Sequence, residues 1–199
     1  MLDKKKYLSE HEVRQLREYV EAMALRDQQR GRTYWPRRWA VIDFLLSTGT
    51  RASEARKVKI KDLSLGHEPS IFIANGKGGK TRTIPISSKL KKHLKEYLEW
   101  KTQLNENTEG DAYLFVNRLG RRYSLSGIQS LFKACRNRSG LRHCYTIHST
   151  RHSYGFLVYG KSKNLRLTQH LLGHSRVSTT QIYAHVDPAE LVETVENLW

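Results

Sequence analysis

The segment from Trp39 to Leu46 constrains this chain most. Trp39, Val41, Ile42, Phe44, Leu45 and Leu46 crowd so much apolar surface into a short stretch that a helix here has to lie at the centre of a core. Pro36 suits its first turn, where a missing amide costs nothing, and Gly49 suits its end. Such a helix is stable only when other elements surround it, and the rest of the chain supplies them. Ser9 and Glu12 fit a capping box, after which Val13, Leu16, Val20 and Leu25 fall near helical spacing, so a first helix is predicted to about Asp27. Helical patterns recur from Ser87 to about Gln103, Ser124 to about Arg138, Ser149 to Tyr159 and Leu165 to Leu172, with shorter ones over 178–185 and about 187–199. Ser70 to Asn75 and Thr81 to Ile86 are rich in β-branched or apolar residues. They flank Gly76-Lys77-Gly78-Gly79-Lys80 and read as a β-hairpin with a glycine-rich tip that projects Lys77. Tyr113 to Val116 reads as a short strand, and the polar stretch from Gln103 to Asp111, with Gly110, as a disordered surface loop. The fold class is α+β, mainly α-helical, with a small antiparallel β-hairpin or sheet, and 199 residues fit one domain.

Charge narrows the partners. The formal net charge of +16 attracts a polyanion, a bias shared by nucleic-acid-binding, ribosomal and membrane-surface proteins. No apolar run approaches the length of a membrane helix, and no apolar segment follows Met1, so a cytoplasmic protein without membrane attachment is expected. Cys135 and Cys144 lack C-x-x-C spacing, which argues against a disulfide scaffold. His148 with His152 and His170 with His174 have the i, i+4 spacing of zinc ligands, but the metal reading is the weaker one and no metal site is expected. No carboxylate cluster suits a pair of magnesium ions.

Four basic clusters remain. They are Thr48-Gly49-Thr50-Arg51-Ala52-Ser53-Glu54, the lysine turn from Asn75 to Arg82, His148-Ser149-Thr150-Arg151-His152, and Leu171-Leu172-Gly173-His174 followed by Gln181-Ile182-Tyr183-Ala184-His185. Arginine offers a forked set of donors that matches phosphoryl oxygens, and tyrosine is a nucleophile only when its proton is drawn off. The ordered set Arg51, Lys77, His148, Arg151, His174 and Tyr183 resembles the catalytic domain of the tyrosine recombinases, the phage-integrase family, from about Tyr7 to the C-terminus.

The resemblance implies the catalytic-domain fold of that family and a site-specific DNA recombinase working in integration, excision or inversion. It implies Tyr183 as the nucleophile that forms a 3′-phosphotyrosyl link, with Arg51, Arg151 and His174 clamping the phosphate. It implies Lys77 as general acid toward the departing 5′-oxygen, His148 as the residue that orients or deprotonates the nucleophile, and Glu54 as support for the cationic residues. No cofactor, metal or ATP is expected. Double-stranded DNA, a homotetramer on two DNA sites and an accessory DNA-bending or directionality factor are the implied partners. Type IB-like topoisomerase activity and a non-catalytic DNA-binding regulator are the alternatives. The family's usual N-terminal DNA-clamping domain is expected to be absent, either because the chain is a piece of a longer recombinase or because it resembles the compact members, leaving one catalytic domain over 1–199 whose C-terminal helix, about 187–199, docks in cis or in trans. Ser149-Thr150 replace the family's acidic-leucine pair, which is expected to alter local helix capping.

Overall fold

The structure, a computed structural model, describes residues 7–74, 81–173 and 188–198. Helix α1, Glu10–Gln29, opens on the capping box: Ser9 Oγ accepts from the Glu12 amide at 3.3 Å, and Glu12 Oε2 accepts from the Ser9 amide at 2.9 Å. Its buried Val13, Leu16, Val20 and Ala24 pack along α2, Tyr34–Thr48, which is the central helix the apolar segment requires. Pro36 lies in the first turn of α2. At its end Gly49 adopts φ +58°, and a Cβ there would sit 2.4 Å from the Tyr154 ring, so only glycine fits.

The central helix is not wholly apolar. Asp43 is buried within it, paired with Arg17 of α1 at 2.9 Å and with His93 Nδ1 at 2.6 Å. One carboxylate thereby ties α1 and α2 to α4, Ser88–Gln103, whose Leu90, Leu94 and Tyr97 continue the core. Ser87 caps α4, accepting from the Leu90 amide at 3.3 Å.

Strands β2, Ser70–Ile73, and β3, Arg82–Pro85, pair antiparallel with Ile71 opposite Ile84 and Ile73 opposite Arg82. They are the arms of the expected hairpin. A two-residue strand β1, Leu63–Ser64, adds a third member in the order β1-β2-β3; its brevity leaves no alternating pattern to find in the sequence. Tyr113 to Val116 forms single bridges, Lys59 with Tyr113 and Val116 with Arg122, in place of the short strand expected there. The stretch from Gln103 to Asp111 differs from the disordered loop expected. Glu106 pairs with Arg37 and with Lys101, the latter at 3.2 Å, and Asp111 with Lys59 and Lys61 at 2.8 Å each. Its polar residues serve as acceptors for cations from distant elements, which local composition cannot reveal.

Helix α5, Leu125–Arg138, starts after a Ser124 cap, and α7, Leu165–Leu172, has the bounds its pattern predicts. Helix α6, Ile147–Ser162, begins earlier and ends later than its pattern. Helix α8, Pro188–Glu196, packs on α6 and β3, with Val195 and Leu198 buried. The short helix expected over 178–185 lies outside the described residues.

Candidate active site

Arg51 stands where α2 turns into the short helix α3, Ala52–Ala55. The sharp exit at Gly49 forces the chain to restart, and Arg51 is the extended residue, φ −70° and ψ 147°, that caps the new helix. Three positions on, Glu54 reaches back: its Oε2 accepts from the Arg51 amide at 3.0 Å and its Oε1 from Arg51 Nη1 at 2.9 Å. The same carboxylate accepts a fork from Arg82, the first residue of β3, with Nη2 to Oε2 at 2.8 Å and Nη1 to Oε1 at 3.3 Å. Burial alone would raise the Glu54 carboxyl, but the hydrogen bonds and charge of Arg82 and the contacts from Arg51 bring it down to about 2. Glu54 is therefore an anion at any physiological pH.

Arg151 arrives on α6. Its guanidinium is buried, donating from Nη1 to the Gly49 carbonyl at 2.7 Å and from Nη2 to the Leu172 carbonyl at 2.5 Å. It thus gathers the end of α2 and the end of α7 onto α6. Burial lowers its pKa to about 10, with the charges of Arg51 and Arg82 adding to the fall and Glu54 opposing it. At neutral pH it remains charged. Two guanidiniums hold one carboxylate, and a third is anchored two residues before Arg51, on the Gly49 carbonyl, an excess of positive charge suited to an anion.

His148 lies in the first turn of α6, exposed, and Arg151 one turn further on. The serine that replaces the family's acidic residue works as a cap: Ser149 Oγ accepts from the Thr146 amide at 3.1 Å. It provides the acceptor an acidic side chain would, without adding a negative charge beside the arginines. The Ser149 carbonyl accepts from Ser153 Oγ at 2.7 Å, and Ser153 Oγ in turn accepts from the Leu8 amide at 2.8 Å, fastening the start of the chain to α6.

Of the sequence-predicted site residues, Arg51, Glu54 and Arg151 are brought together and His148 heads the same helix as Arg151. Lys77, His174 and Tyr183 lie outside the described residues. Arg82 is the participant that sequence reading missed. It was visible as the last residue of the lysine turn, but nothing in a single sequence says that a strand residue will meet a helix-capping carboxylate. Among the described residues no group of three or more His, Cys, Asp or Glu could hold a metal ion; Cys135 is buried and Cys144 exposed. Beside Glu54 runs a groove lined by Lys57, Lys59, Lys61, Phe72, Tyr113 and Arg122.

The family model described as "Phage integrase family" matches residues 6–190, nearly the whole chain. The chain belongs to the phage integrase family. Tyrosine recombinase XerC of Lactobacillus delbrueckii subsp. bulgaricus is 35% identical over 173 residues, covering 86% of this chain and 57% of that protein. Tyrosine recombinase XerA of Pyrococcus furiosus is 33% identical over 194 residues, covering 96% of this chain and 61% of the relative. The chain thus spans little more than half the length of these relatives. The crystal structure of XerA recombinase superposes with a TM-score of 0.71 at 30% identity, over 93% of this chain and 62% of the other. XerH site-specific recombinase bound to its difH substrate in a pre-cleavage complex gives 0.70 at 26% identity, over 86% and 47%. A lambda integrase tetramer bound to a Holliday junction, 19% identical at a TM-score of 0.61 over 91% of this chain and 50% of the other, shares the fold. The fold of this phage-integrase chain is the recombinase catalytic-domain fold, mainly helical with a small antiparallel sheet.

Proposed function

We propose that this chain is the catalytic domain of a site-specific tyrosine recombinase that breaks and rejoins duplex DNA. The observation that carries the reading is the convergence of Arg51 and Arg151 on one site with Glu54 held as an anion between Arg51 and Arg82. In the reaction the Tyr183 phenolic oxygen attacks a backbone phosphorus, and the bond from phosphorus to the 5′-oxygen breaks. The phenol proton leaves toward His148 and the 5′-oxygen takes a proton from Lys77, giving a 3′-phosphotyrosyl protein and a free 5′-hydroxyl. One phosphodiester replaces another, so rejoining is the same step in reverse, with a 5′-hydroxyl of a second strand as nucleophile and no ATP consumed. Arg51, Arg151 and His174 stabilise the charge that builds on the phosphoryl oxygens. The basic groove beside Glu54 suits a DNA backbone.

Lys77, His174 and Tyr183 take these roles from the resemblance of their motifs to those of the family. The partners of the reading are double-stranded DNA, further copies of the chain in a tetramer on two sites, and an accessory DNA-bending or directionality factor. One catalytic domain over 1–199 is part of it, as is transfer of α8 to a neighbouring copy in that assembly.

The test is covalent capture. Wild type and Tyr183→Phe are incubated in EDTA with a duplex library of randomised sequence, denatured with detergent, and the DNA still attached is sequenced. Adducts with wild type alone, enriched for one sequence, are expected. No adduct despite retained DNA binding makes the chain either an isolated catalytic domain that needs a DNA clamp or a non-catalytic DNA-binding regulator, and loss of adduct on chelation overturns the metal-free mechanism. Relaxation of supercoils without joining of two duplexes identifies a type IB-like topoisomerase.

A further inference from the structure

We propose that Arg82 is a positioning residue for the phosphate clamp, acting on Arg51 through Glu54. The inference rests on the recombinase reading and extends it to a residue outside the motif set. Each Glu54 oxygen is shared: Oε1 accepts from Arg51 Nη1 and Arg82 Nη1, and Oε2 from the Arg51 amide and Arg82 Nη2. With four donors in place the carboxylate has no freedom to turn and grip the Arg51 guanidinium with both oxygens. Arg82 therefore keeps Arg51 oriented yet incompletely neutralised, which is the state a phosphate needs.

The position of Arg82 in the fold supports this role. It is nearly buried, its side chain 14% exposed, with both terminal nitrogens on Glu54, so it serves an internal partner. It starts β3, five residues after Lys77 in the sequence. Its aliphatic stem lies against Gly173, which caps α7 at φ +64°; a Cβ on that glycine would meet Arg82 Cδ at 2.6 Å. The residue after Gly173 is His174. Arg82 thus joins the start of β3 to Glu54 and to the end of α7, and no side chain but arginine's offers a forked pair of donors for the carboxylate.

The experiment uses the whole chain with Arg82→Met, which keeps length without charge, and Arg82→Lys, which keeps charge without the fork. Adduct formation with the captured duplex is followed at saturating DNA, and DNA affinity separately. For Arg82→Met the saturated rate is expected to fall about 100-fold, the usual scale of a displacement of about 1 Å in a reacting group, with affinity unchanged and a melting temperature that falls, because Glu54 loses its fork, but stays above the assay temperature. Arg82→Lys is expected to recover about tenfold of that loss, because an ammonium replaces the charge and one contact but not the fork. In a Glu54→Gln background Arg82→Met should cost less than about threefold more, since residues acting through one group are not additive. Weaker DNA binding with an intact saturated rate makes Arg82 a DNA contact and overturns the inference, as do additive losses or a rate loss that follows only the loss of fold.

A second readout needs no cleavage. The ¹³C carboxyl signal of Glu54 is titrated in wild type and Arg82→Met; its midpoint is expected to rise in the variant, and an unchanged midpoint overturns the inference. If wild type forms no adduct with any duplex, the recombinase reading fails on its own, and the titration still decides whether Arg82 governs Glu54.

Discussion

Glu54 does two jobs at the scale of a single residue, capping α3 and setting the charge balance of the candidate site, and both depend on its staying ionised. Its folded pKa of about 2 lies below the ordinary value of 4.5. The folded state therefore binds this proton less tightly than the unfolded state, and Glu54 contributes stability that is fully present above pH about 4.5 and lost as pH falls toward 2. The fall from 4.5 to about 2 corresponds to roughly 3–4 kcal/mol, at about 1.4 kcal/mol per pH unit. Urea unfolding from pH 7 down to pH 2.5 is expected to show a steeper acid loss for wild type than for Glu54→Gln. Glu54→Gln also leaves Arg51 and Arg82 without a carboxylate inside the fold, so it should be the less stable protein at pH 7. Parallel pH profiles would mean that Glu54 is not held by the arginines.

Among the elements, the turn from α2 to α3 shows how packing aims chemistry. Gly49 ends α2, its carbonyl receives Arg151, and the next helix starts with Arg51 as cap. Gly49→Ala puts a non-glycine residue at φ +58° and a methyl 2.4 Å from the fully buried Tyr154 ring, which has nowhere to go. A left-handed penalty of about 1–2 kcal/mol with overpacking of similar size is expected to lower stability by about 3 kcal/mol in urea unfolding. The shift of Arg151 should reduce adduct formation as well. Full stability in Gly49→Ala would show that α2 can end another way. The sequence carried this turn openly, since glycine, the caps Ser9, Ser87 and Ser124, and apolar spacing are local signals. It hid what depends on meetings across the fold: the Asp43 carboxylate between Arg17 and His93, the Glu106 anchor of the stretch expected to be disordered, the two-residue β1, and Arg82 on Glu54. Apart from β1, each is a polar group in a position where composition alone predicts solvent, and only the tertiary partner makes the burial affordable. The candidate site divides along the same line: Arg51 and Arg151 belong to motifs readable in the sequence, whereas the reason they point at one place lies in two backbone carbonyls and a strand arginine.

For the whole molecule, the question is how the last helix is held, because Tyr183 lies in the chain between α7 and α8. Helix α8 is seated on its own chain. Val195 and Leu198 are buried, Glu196 Oε1 accepts from the Ser88 amide at 2.8 Å and from its hydroxyl at 2.6 Å, and Lys161 donates to the Asn197 carbonyl. Glu196 thus joins the end of the chain to the N-terminus of α4, where a carboxylate is favoured by the helix dipole. A helix seated in this way needs no second copy, so in the absence of DNA the melting temperature is expected to be independent of protein concentration over a roughly 100-fold range, whereas a helix borrowed from a neighbour makes melting concentration-dependent by mass action. Val195→Ala should then destabilise the chain by about 2 kcal/mol, from lost burial and the cavity left behind, equally at low and high concentration. A melting temperature that climbs with concentration, and a Val195→Ala effect that vanishes on dilution, would place the docking site of α8 on another molecule. With α8 held in cis before DNA binds, any handover of the helix within the proposed tetramer has to break the Glu196 contact with Ser88 first. Glu196→Gln weakens that contact and should make exchange easier, read as faster mixing of two differently labelled pools of the protein on DNA; mixing no faster than wild type would show that the contact does not restrain the helix.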